Sequence, residues 1–289
     1  MKKLYILLFL IIIAVAFFGG MITQKHYGLG NLLKKANPTY IPQEKREAIA
    51  PEHRGKLSIF ILAGQSNMEG DGNVEDYTPV NTDGRVYMFN ENYLWLPGKE
   101  PVRNRIGPSI AFAKQIIDYD KNSYVGIINV ARGGTNIGQW QKSYDEQSLY
   151  QIMLKRALAS SSQGEIKGLL FFQGENDAEG DSTDHYNDWD VYFEKFVKDI
   201  RHDLHNEDLP VIFAQIGKGE DKLWKKVKNR QDSVNIKNVA MIKTDDLDFI
   251  ENNVHFTTKG YVEIGKRFGD KFIEEVMSPS KNIKSIEQK

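Results

Sequence analysis

The chain has 289 residues, with 38 Lys and Arg against 39 Asp and Glu, for a formal net charge of −1. So even a balance supplies no overall field to draw in polyanions, and no nucleic-acid partner is expected. Its 40% hydrophobic and 27% charged residues are those of a globular protein; the absence of cysteine excludes a disulfide framework, a thiolate metal site and a cysteine nucleophile.

From Leu4 to Ile22 the chain reads LYILLFLIIIAVAFFGGMI, uncharged throughout and preceded by Lys2 and Lys3. At about 1.5 Å per residue, such a helix nearly crosses a hydrocarbon core of about 30 Å. Residues 1–24 therefore read as a signal anchor or signal peptide, with the membrane as a partner through residues 4–22. The anchor is favoured, because Ala14 and Ala16 lie inside the apolar run rather than at a small-residue exit. An extracytoplasmic location follows, membrane-anchored, or secreted if the leader is cleaved. Residues 25–54 carry Pro38, Pro42 and Pro51 among many Lys and Glu, without an apolar period. They read as a linker.

Residues 55–277 alternate short apolar runs with amphipathic stretches. Strands are expected at Leu57–Ala63, Tyr124–Val130, Gly168–Phe172, Pro210–Ile216 and Val239–Lys243. Helices are expected at Pro108–Tyr119, Tyr150–Ser160, Tyr186–Leu204, Lys222–Val234 and Thr258–Val276. Continuous apolar strands joined by helical crossovers predict an α/β fold with a parallel sheet covered on both faces. Residues 278–289 read as a polar tail.

In such a fold ligands bind beyond the carboxyl ends of the strands, so the polar residues just after each apolar run carry the interest. The first run ends in Gly64-Gln65-Ser66-Asn67-Met68-Glu69-Gly70. A serine on a strand-to-helix turn can present its hydroxyl to a ligand, although Ser66-x-x-Glu69 also reads as a helix capping box. The second run leads into Ala131-Arg132-Gly133-Gly134-Thr135, where paired glycines let backbone N–H groups approach a ligand. The third leads into Gln173-Gly174-Glu175-Asn176-Asp177, and His255 stands between the last strand and the last helix. A serine, donor glycines, an amide and a histidine on successive loops of one sheet edge make a constellation for acyl transfer. The histidines show no metal-ligand spacing, and neither metal nor cofactor is expected.

GQSNMEG, ARGGTNI, FFQGENDA and VHFTTKGY, in that order, resemble the blocks of SGNH-type hydrolases, and most closely the sialic-acid-specific and carbohydrate acetylesterases. The resemblance spans about Leu57 to Phe272. It implies a flavodoxin-like three-layer α/β/α fold and removal of O-acetyl groups from carbohydrates such as sialic acid, with an acetylated carbohydrate as partner. It further implies Ser66 as nucleophile, His255 as base, and Gly133, Gly134 and Asn176 as the oxyanion hole, with Gln173 as a further polar contact.

One position departs from the pattern. The family carries an acidic residue three places before the histidine, and this chain has Asn252 there. An amide accepts a hydrogen bond from the imidazole but offers no charge to an imidazolium. Glu251, Asp248 and Asp246 are the nearest carboxylates in sequence, and a backbone carbonyl is a further way to orient the ring. Two other functions remain open: a membrane-tethered glycan-binding pseudoenzyme, and an acyl hydrolase or acyltransferase acting on another ester.

Overall fold

The computed structural model describes residues 48–180, 185–219, 221–251 and 254–278. They belong to one of the chain's two units, Glu47–Lys289. The strands are β1 (Leu57–Gly64), β2 (Val86–Phe89), β3 (Trp95–Pro97), β4 (Tyr124–Asn129), β5 (Gly164–Phe172), β6 (Val211–Ala214) and β7 (Val239–Ile242). They form one seven-stranded sheet in the order β3-β2-β4-β1-β5-β6-β7. All neighbours pair in parallel except β2 and β3. Two of these strands, β2 and β3, were not expected. β3 has only three residues and leaves Leu96 exposed on the sheet edge, while β2 is as long as β6 and β7 and pairs with β3 and β4.

The central strand β1 is buried along nearly its whole length, as a continuous apolar run covered on both faces must be. Helix α1 (Ser66–Glu69) follows it directly. On one face lie α2 (Ser109–Tyr119) and the C-terminal helix α7 (Thr258–Phe272), whose Phe112 and Phe272 rings meet Phe60 of β1 at 4.8 and 4.9 Å. The buried residues of α7 recur at 261, 264, 265, 268, 269 and 272, a helical stripe facing the core. Two of them are glycines that allow close packing: a Cβ on Gly265 would sit 2.3 Å from the Pro108 carbonyl oxygen. On the other face, Phe171 of β5 packs against Phe193 and Phe196 of α5 (Trp189–Asp203), at 5.4 and 5.1 Å. The remaining helices are α3 (Leu149–Ser160), the short α4 (Glu175–Ala178) after β5, and α6 (Lys222–Asp232). Helices on both faces of a mostly parallel sheet make this a mixed α/β fold.

The packed region extends upstream of residue 55 into the expected linker. Ile49 is buried, the Ala48 N–H donates to the Trp95 carbonyl at 3.1 Å, and His53 stacks on Tyr124 at 3.8 Å. Among the described residues no helix is long and apolar enough to cross a membrane. The apolar run of residues 4–22 lies outside them.

Candidate active site

The strand order reverses at β1, which has β4 on one side and β5 on the other. That is the crevice where open α/β sheets bind ligands. The loops leaving β1, β4 and β5 carry Ser66, Gly133 and Asn176. The β1 and β5 ends approach so closely that a Cβ on Gly64 would lie 2.0 Å from the Phe172 carbonyl oxygen. His255 comes from farther away. It follows β7 at the sheet's far edge, but α7 lies back over β1, so the connection must return across the strand ends. That connection is braced by the Ile250 N–H on the His255 carbonyl, the Thr257 N–H on the Asp248 carbonyl, and stacked Phe249 and Phe256 rings.

The result is a contact between Ser66 Oγ and His255 Nε2 at 2.8 Å. Ser66 is the first residue of α1, after the N-cap Gln65, so its hydroxyl does not serve as the cap that the Ser-x-x-Glu spacing allowed. Both side chains are partly exposed to the crevice. Burial, then the Arg105 guanidinium, holds the imidazole below its ordinary value, while Glu179 works in the opposite direction. A neutral imidazole at hydrogen-bond distance from a hydroxyl is equipped to take its proton.

The Gly133-Gly134 turn is exposed beside the serine, where a Cβ on Gly133 would lie 3.6 Å from Ser66 Cβ. Its Gly133 N–H donates to Glu69 Oε2 at 3.0 Å, and Glu69 also pairs with Arg103 at 2.8 Å. The Asn176 backbone N–H donates to Gln65 Oε1 at 3.2 Å, and Asn176 is partly exposed.

Gln173 differs from the expected polar contact for substrate. It is completely buried, its Nε2 donating to Gln65 Oε1 at 3.1 Å and the Thr135 carbonyl at 2.9 Å, while its Oε1 accepts from Trp189 Nε1. It braces the loops instead. One of the carboxylates nearest His255 in sequence is engaged elsewhere. Asp246 forms a two-point ion pair with Arg267 at 2.7 and 2.6 Å, and that guanidinium lowers its carboxyl to about 2. Asp248 and Glu251 are exposed. Asn252 lies outside the described residues. Among the described residues, a carboxylate at ion-pair distance from the imidazole is Asp71, with Oδ2 3.3 Å from His255 Nδ1. Sequence spacing offered no signal for it, since it lies near the serine and far from the histidine along the chain.

A buried relay joins the blocks. Tyr261 Oη donates to Asn67 Oδ1 at 2.8 Å, and Asn67 Nδ2 donates to Glu175 Oε1 at 2.5 Å and to the Val254 carbonyl at 3.0 Å. The residue after Ser66 thus fixes both the Asn176 loop and the residue before His255. Burial raises the Glu175 carboxyl to about 7, against the opposing hydrogen bond from Asn67. The other carboxylate oxygen, Oε2, is buried without a hydrogen-bond partner among the described residues. Both Asn67 and Glu175 lie inside recognisable sequence blocks, but only their contacts reveal what they do.

Residues 56–274 match the family described as carbohydrate esterase, sialic acid-specific acetylesterase. A probable carbohydrate esterase of Arabidopsis thaliana is 30% identical over 234 residues, covering 72% of this chain and 86% of that protein. A solved structure of an Arabidopsis thaliana protein aligns with a TM-score of 0.66 at 26% identity, over 74% of this chain and 97% of the other. The fold is shared with a carbohydrate acetylesterase from Xanthomonas citri, at a TM-score of 0.58 and 18% identity over 76% of this chain and 56% of that one. With nearly all of the described residues inside the match, the chain belongs to the sialic acid-specific acetylesterase family of carbohydrate esterases and is a carboxylic ester hydrolase.

Proposed function

We propose that this protein removes O-acetyl groups from carbohydrates, sialic acid or another acetylated glycan, through an acetyl-serine intermediate on Ser66. The observation that carries the reading is the 2.8 Å contact between Ser66 Oγ and His255 Nε2 at the point where the strand order reverses. Ser66 Oγ attacks the acetyl carbonyl carbon while His255 Nε2 takes the hydroxyl proton. The bond from that carbon to the sugar oxygen then breaks, and His255 returns the proton to the sugar. Water, deprotonated by the same imidazole, attacks the acetyl-serine; acetate leaves and Ser66 regains its proton.

The developing oxyanion is held by the Ser66 and Gly134 N–H groups and the Asn176 side-chain amide, each such donor being typically worth about 10²–10³ in turnover. Gly133 joins them only once Glu69 leaves its N–H. A groove of 630 Å³ lined by Glu69, Phe89, Leu96, Arg103, Arg105 and Arg156 adjoins the serine turn and is of a size to hold a sugar. The apolar run of residues 4–22 supports a domain tethered to a membrane and facing out of the cytoplasm.

The decisive experiment is acetate release from acetylated sugars by the full chain and by Ser66→Ala. The variant is expected to fold and to lose activity. Retention of more than about a hundredth of the parent rate would exclude covalent catalysis through Ser66. Binding of acetylated glycan by a parent that releases no acetate would identify a pseudoenzyme instead.

A further inference from the structure

The amide at position 252 gives an imidazolium no charge to lean on. On the nitrogen of His255 that does not face Ser66, Asp71 Oδ2 lies 3.3 Å from Nδ1. Resting on the reading of Ser66 and His255 as nucleophile and base, we propose that Asp71 is a positioning residue of this esterase. It accepts the Nδ1–H of His255, fixes the tautomer that leaves Nε2 free to take the serine proton, and stabilises the imidazolium that results. The acid has moved from the histidine loop to the serine turn.

Asp71 is held for this task from both sides. Its Oδ1 is bound by Arg105 Nη1, which leaves Oδ2 facing the imidazole. Next to it, Gly72 and Ile106 exchange backbone hydrogen bonds at 2.9 and 3.0 Å, pinning the Asp71 loop to the Arg105 loop. Thr258 Oγ1, three residues after His255, donates to the Asn73 carbonyl at 2.9 Å and ties the start of α7 to the same loop. The two side chains are 20% and 22% exposed, so water screens their attraction less than it would a surface pair. In an unliganded site such contacts are often long and tighten when the reaction begins.

The charges around the ring set what a measurement should find. Asp71 reaches it from the loop after α1, Arg105 from the loop before α2, and Glu179 from the end of α4. Asp71→Asn removes a negative charge beside Nδ1 and leaves Arg105 without its partner, and both changes disfavour the imidazolium. A loop-bracing ion pair alone would predict neither a shifted imidazole nor a loss confined to turnover.

The test uses the full chain, its Asp71→Asn variant and, as a second substitution, Asp71→Ser. The acid-to-amide change in the serine-protease triad lowers turnover by about 10⁴. Here the carboxylate shares its charge with Arg105, and a loss of about 10²–10³ in kcat is expected, with KM within about threefold. The His255 ring, titrated by NMR through its Cε1–H resonance, is expected to lose about one pH unit of basicity. A kcat within about threefold of the parent, or an unchanged imidazole titration, would overturn the proposal. Should the parent release no acetate, the esterase reading fails by itself, and the ring titration still decides whether Asp71 holds His255.

Discussion

Glu175 is completely buried against Asn67, the neighbour of Ser66. Burial lifts its carboxyl from an ordinary 4.5 to about 7, so between those values the folded chain holds a proton that the unfolded chain has released. The stability it contributes is complete below the unfolded value and is lost as pH rises through the folded one. At about 1.4 kcal/mol per unit, this amounts to up to about 3 kcal/mol. Glu175→Gln keeps the acceptor for Asn67 without the charge. Comparing urea midpoints near pH 5 and near pH 8, the fall with rising pH is expected to be smaller in the variant than in the parent. Some slope should remain, because burial also raises Glu100 to about 7. At His255 the sign is opposite for activity, since the ring must be neutral to accept a proton. With burial and Arg105 holding it below its ordinary value, kcat/KM is expected to rise with pH through an inflection below about 6.5 and to be flat above it. A pH–rate profile with its acid limb above about pH 7 would contradict this assignment.

Between elements, tolerance is narrow where β1 and β5 meet beneath the serine. Gly64 has φ +128 and no room for a side chain against Phe172, whereas Gly55 has φ +72 and nothing within 4 Å. Gly55→Ala is therefore expected to show backbone strain alone, about 1–2 kcal/mol. Gly64→Ala adds a backbone clash and should lose more than about 2 kcal/mol by urea denaturation, with acetate release failing as the turn shifts. Strands β1, β4, β5, β6 and β7 and the five longer helices are legible in the sequence because apolar runs and the 3.6-residue period are local properties. The structure begins β5 earlier, at Gly164, and ends α7 at Phe272, before a π turn over Ile273–Met277. The short α1 and α4 were not predicted as helices, since neither is long enough to show a period. Each nevertheless begins in a block that marked the site.

For the whole molecule, the proposed tether through residues 4–22 is open to a direct test. The full chain recovered from native membranes is expected to resist salt extraction, yield to detergent and begin at or near Met1. A mature N-terminus between Gly20 and Lys25 would show a cleaved signal peptide and a secreted enzyme. The sequence by itself determined the alternation of strands and helices, the family, and the loops on which Ser66, Gly133, Asn176 and His255 stand. These depend on neighbours within a few residues and on a topology that gathers strand ends at one edge. Only the tertiary structure decided which carboxylate meets the imidazole, that Gln173 is a brace, and that Glu175 is buried with a raised carboxyl. Asp246, close in sequence, is held by Arg267, while Asp71 is carried to His255 by the Gly72–Ile106 pairing and the return of α7 over β1. Side-chain partnership follows distance in space, and packing between distant segments sets that distance.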